Sequence, residues 1–71
     1  MIRKYSITLH GHRTSFSLEE AFFQELKEIA TERALPLAAL IAEVDDARGD
    51  ANLSSALRLH VLSALKARTA C

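Results

Sequence analysis

The chain has 71 residues, 49% hydrophobic and 25% charged, with nine Lys and Arg against nine Asp and Glu, and this describes one small globular domain spanning residues 1–71. A chain this short buries only about 60% of the surface its unfolded form exposes, so it needs a disulfide, a metal or a partner subunit. The one cysteine, Cys71, has no second thiol to pair with in the chain, and a second subunit is therefore the expected support. No apolar run approaches the ~20 residues of a membrane span, and the residues from Met1 to Tyr5 lead into an alternating segment instead of a signal-peptide core. No membrane association and a cytoplasmic location are expected. The zero net charge excludes a bulk nucleic-acid binder, but the charge is unevenly placed: residues 1–17 hold Arg3, Lys4 and Arg13 without an acid, and all nine acids lie in residues 18–50.

Residues 3–10 alternate, with Tyr5, Ile7 and Leu9 on one face and Lys4, Ser6, Thr8 and His10 on the other, the period of a half-buried strand. Gly11 permits positive φ, and a second alternation over about residues 13–17 sets Thr14, Phe16 and Leu18 against Arg13, Ser15 and Ser17. The two segments form a hairpin or one bent ribbon. Ser17-Leu18-Glu19-Glu20 fits a capping box, which predicts a helix over about residues 18–33 with Phe22, Leu26, Ile29, Ala30 and Arg33 on one stripe and Phe23 widening it. Ala34-Leu35-Pro36 stops that helix, and Pro36 suits the first turn of a second over about 36–47, carrying Leu37, Leu40, Ile41 and Val44. After a polar break, Asn52 is placed to cap a third helix over about 53–67, whose Leu53, Ala56, Leu57, Val61, Ala64 and Leu65 share a face.

One strand, a long helix, a short turn and a second apolar helix resemble the ribbon-helix-helix family of Arc and methionine-repressor type. Gly11-His12-Arg13-Thr14-Ser15, Leu18-Glu19, Leu26-Lys27-Glu28-Ile29-Ala30, Leu40-Ile41-Ala42-Glu43 and Asn52-Leu53-Ser54-Ser55-Ala56-Leu57-Arg58 look like a bacterial subfamily of short ribbon-helix-helix proteins. The resemblance implies an α+β homodimer in which two protomers pair their strands in an intersubunit antiparallel ribbon. Here an N-terminal strand extension and a third C-terminal helix are added to the minimal fold. It also implies a transcription regulator whose ribbon enters the major groove of double-stranded DNA, with Arg13, Ser15 and Ser17 facing the groove; Arg3 and Lys4, cations near the N-terminus, are read as phosphate partners instead of base readers. Members of the family open the second helix with a Gly-containing turn and a Ser or Thr that clamp a phosphate; Ala34-Leu35-Pro36 departs from that pattern, and Pro36 removes one N–H donor. The alternative is a dimeric interaction module, antitoxin-like or an adaptor, that binds a protein through its third helix.

Other chemistries fit less well. His10 and His12 have the spacing of a chelating pair on a strand, but two ligands do not make a site, and His60 brings no acidic or cysteine neighbour to complete one. Asp45, Asp46 and Asp50 lack the spacing and closing Glu of a calcium loop. Cys71 has no base at a defined distance, and Phe22 with Phe23 reads as core rather than as a stacking platform. No catalytic residue, cofactor or metal is expected, and an enzyme is excluded by the lack of a nucleophile, base and orienter around a pocket.

Overall fold

The alternating residues form a hairpin. In the computed structural model, which describes residues 1–69, β1 (Ile2–Leu9) pairs antiparallel with β2 (His12–Glu19) in a register running from Ile2 opposite Glu19 to Leu9 opposite His12. Cys71 lies outside the described residues. His10 and Gly11 join the strands, and both have positive φ, 52° and 79°, the signature of a two-residue turn whose twist matches that of the strands. Glycine adopts this conformation at no cost, and His is among the residues that tolerate it. The extension therefore lies beside β2, forming a two-stranded antiparallel ribbon within the chain.

Helix α1 (Glu20–Glu32) starts later than the capping box predicts. Pairing with β1 keeps β2 extended through Glu19, so Ser17 is a strand residue; Glu19 is the N-cap, and no side chain caps the helix. The C-terminus of α1 closes with a Leu35 N–H to Ala30 carbonyl bond of 2.9 Å and an Ala34 N–H to Thr31 carbonyl bond of 3.0 Å, the two bonds of a Schellman motif. Its left-handed position is held by Ala34, with φ 57°, where glycine is usual. A left-handed L-residue costs about 1–2 kcal/mol, partly offset by the greater unfolded-state entropy of glycine. Ala34→Gly is thus expected to stabilise the fold by about 0.5–1 kcal/mol, read as a higher urea midpoint at constant slope; an unchanged or lower midpoint would contradict the assignment.

Helix α2 (Leu37–Ala47) follows with Pro36 as its N-cap instead of inside the first turn, and the Pro36 carbonyl accepts from Ala39 and Leu40. Asn52 caps α3 (Leu53–Thr69) as predicted, its Oδ1 accepting from the Ser55 N–H at 2.8 Å. The three helices pack beneath one face of the hairpin. Leu9, Phe16 and Leu18 from the strands meet Leu26, Ile29 and Ala30 of α1, Leu40, Ile41 and Val44 of α2, and Leu53, Leu57 and Val61 of α3. Tyr5 lies between Phe16 and Phe23, with ring centroids 5.4 and 4.0 Å away, so the N-terminal strand is tied to α1 by an aromatic stack. Leu65, expected on the buried face of α3, is exposed, as are Leu59 and Leu62.

Candidate nucleic-acid interface

Because Thr14, Phe16 and Leu18 turn toward the helices, strand alternation sends Arg13, Ser15 and Ser17 to the opposite face of the hairpin. The register sets Thr8 opposite Arg13, Ser6 opposite Ser15 and Lys4 opposite Ser17, and directly paired residues project from the same face. This outward face thus carries two cations, Lys4 and Arg13, among the hydroxyls of Ser6, Thr8, Ser15 and Ser17. Lys4, Ser6, Arg13 and Ser15 also line a shallow depression on it. Sequence reasoning gives Ser6 and Thr8 no role, since their placement beside Ser15 and Arg13 depends on how the two strands pair. Arg3 has the parity of Tyr5 and stands on the opposite face from Lys4, though exposed.

By strand alternation Glu19, opposite Ile2, shares this face, and its carboxylate is occupied. Arg58 of α3 donates from Nε to Glu19 Oε1 at 2.9 Å, and this hydrogen bond holds the Glu19 carboxyl below its usual value. A lowered folded-state pKa stabilises the fold above the ordinary carboxylate range, and the contribution is lost as the pH falls through the lowered value. At neutral pH the pair keeps an acid at the ribbon's end from acting as a free negative charge.

A second contact with α3 fixes the direction of the backbone. The Ser17 N–H donates to Ser54 Oγ at 3.0 Å, so it points away from β1. In an antiparallel ladder the direction alternates, which turns the N–H groups of Arg13 and Ser15 toward the same outer edge of β2. At that edge Ser17 is bonded to α3, whereas Arg13 and Ser15 are exposed.

A strand running directly into a helix, followed by a turn and a second core helix, is the element order of the ribbon-helix-helix class. Residues 2–65 match the family described as Ribbon-helix-helix domain, and the chain belongs to that family. No curated protein and no solved structure matches the chain. Domains of the family are typically DNA-binding regulators or antitoxins, usually dimeric and generally non-enzymatic. Among the described residues no helix is long and apolar enough to cross a membrane.

Proposed function

We propose that the chain is a dimeric, cytoplasmic DNA-binding transcription regulator that lays the outward face of its ribbon in the major groove. The observation that carries this reading is the clustering of Lys4, Arg13 and four hydroxyl side chains on one open face, with the nearby Glu19 neutralised by Arg58. Two copies of β2 pairing through the edge at Arg13 and Ser15 leave the Ser17–Ser54 bond intact. With strands about 4.8 Å apart, the two β2 strands lie about 2.4 Å from the dimer axis and the β1 strands about 7 Å from it. The major groove is about 12 Å wide, so β2 falls over the base edges and β1 over the phosphate rims. Arg13 and Ser15 are then base-facing, Ser17 follows them toward the end of the ribbon, and Lys4 meets phosphate. Arg3, on the other face, has a weaker claim to a phosphate.

Selection of bound sites from a random duplex library tests the reading. A two-fold related motif should be enriched, matching the symmetry of two ribbons. Recovery of no motif, with only weak salt-sensitive binding, would favour the interaction-module reading, in which Leu59 and Leu62 of α3 meet a protein partner.

A further inference from the structure

We propose that His10, Asp45 and Asp46 form a site for a divalent transition cation of zinc type that joins the hairpin turn to the C-terminal end of α2. The three side chains come from two segments far apart in sequence, the hairpin turn and the adjacent pair Asp45-Asp46. One ligand atom of each lies within 4.8 Å of the others, and His10 Nε2 stands 2.9 Å from Asp46 Oδ1. Tetrahedral zinc bonds of about 2.0–2.2 Å put neighbouring ligand atoms about 3.4 Å apart, so the hydrogen-bonded His10–Asp46 pair has to open by only about half an ångström to take an ion between its two atoms.

Arg13 and Arg48 line the same depression as His10 and Asp45, so the two carboxylates are what makes room for a cation beside two guanidiniums. Asp45 is held by Arg48, whose Nε donates to Oδ1 at 2.6 Å while its Nη1 donates to the Ala51 carbonyl at 2.6 Å, and a carboxylate has a second oxygen with which to bind an ion. Such outer hydrogen bonds orient ligands and limit the loss of freedom on binding. The aspartates also lie in the last turn of α2, where the unpaired carbonyls of a helix end favour positive charge. With an imidazole and two carboxylates as donors, the site suits zinc, cobalt or nickel and leaves further positions to water. On binding, His10 adopts the tautomer protonated at Nδ1, and Nε2 changes from hydrogen-bond donor to metal ligand; Asp46 exchanges that bond for one to the ion.

Without metal, the His10–Asp46 contact is a weak tether, since both side chains are more than half exposed, 58% and 62%. An ion bridging three ligands makes it a firm one, and the turn it holds is the tip of the proposed DNA-facing ribbon. The site does not depend on that function.

Titration of the untagged chain with zinc chloride, followed by calorimetry and by the thermal unfolding midpoint, tests the proposal. One zinc per chain and a rise in midpoint are expected. His10→Asn removes the imidazole yet retains a residue well suited to positive φ in this turn, so the variant keeps the hairpin. It should weaken zinc binding by about tenfold or more, as should Asp46→Asn, whereas His12→Gln, His60→Gln and Cys71→Ser should bind as the parent does. Absence of zinc uptake at millimolar concentration, unchanged binding by His10→Asn, or loss of binding in His12→Gln, His60→Gln or Cys71→Ser would overturn the site.

Discussion

Phe16→Ala is expected to lower the unfolding free energy by about 3–5 kcal/mol, the usual cost of truncating a buried Phe, and this is a large share of the stability of so small a domain. Phe16 is 4% exposed and sits at the centre of β2, where it contributes both to the helical core and to the stack with Tyr5. Truncation opens a cavity under the ribbon and removes the support on which Tyr5 aligns β1 with α1. Relaxation of the strand cannot readily fill that space, because Leu18 and Leu9 on the same face already pack against the helices. Ser15→Ala, one position away on the exposed face, serves as the control and should change stability by no more than about 0.5 kcal/mol. Urea unfolding of both variants decides the matter. A decrease below about 1 kcal/mol for Phe16→Ala would mean that the ribbon does not rest on this side chain. For the dimer proposed above, the parent's unfolding midpoint should also rise with protein concentration.

The second large effect concerns DNA. Arg13→Ala should cost about 1–3 kcal/mol of discrimination per base pair read, because a guanidinium can donate two bonds to guanine O6 and N7 and no neighbour on the outward face replaces that fork. With one Arg13 from each protomer, the effect on a two-fold related site is doubled. Lys4→Ala removes a charge placed over the groove rim, and it should weaken every duplex by a similar factor while reducing the salt slope by about one for each phosphate no longer neutralised. Titrating both variants against a selected site and a scrambled duplex at two salt concentrations separates the roles. Equal behaviour of the two variants on both duplexes would remove base reading from Arg13.

Both predictions rest on an alternation visible before any folding is considered. Tyr5, Ile7 and Leu9, then Thr14, Phe16 and Leu18, mark one face, because a strand with period two must turn its apolar set to the core. The helical stripes through Leu26, Ile29 and Ala30 and through Leu40, Ile41 and Val44 follow from the same logic at period 3.6, and Asn52 caps α3 as its side-chain chemistry dictates. The capping box at Ser17 shows where local signals mislead. Its residues fit the motif, but the partner strand holds Ser17 and Glu19 extended, and the ladder bonds outweigh a side-chain cap worth about 1 kcal/mol. Ala34 is a similar case: a helix stop is readable from Pro36, whereas the left-handed position that closes α1 is set by the geometry of the whole turn.

By itself, the sequence determined the faces of the elements, their order and the family to which they belong, since periodicity, turn residues and short motifs are properties of neighbouring positions. Tertiary structure alone decided the juxtapositions. Pairing of β1 with β2 put Lys4, Ser6 and Thr8 beside Arg13, Ser15 and Ser17, and packing of the helices brought Arg58 to Glu19 and Ser54 to Ser17. The proposed metal-ligating group is the clearest instance. His10 with His12, and Asp45 with Asp46 and Asp50, are each incomplete as local patterns, and His10 meets the two aspartates only because the hairpin lies across the end of α2. Contacts between segments 36 residues apart depend on the collective burial of the core, a property that no window of neighbouring residues contains.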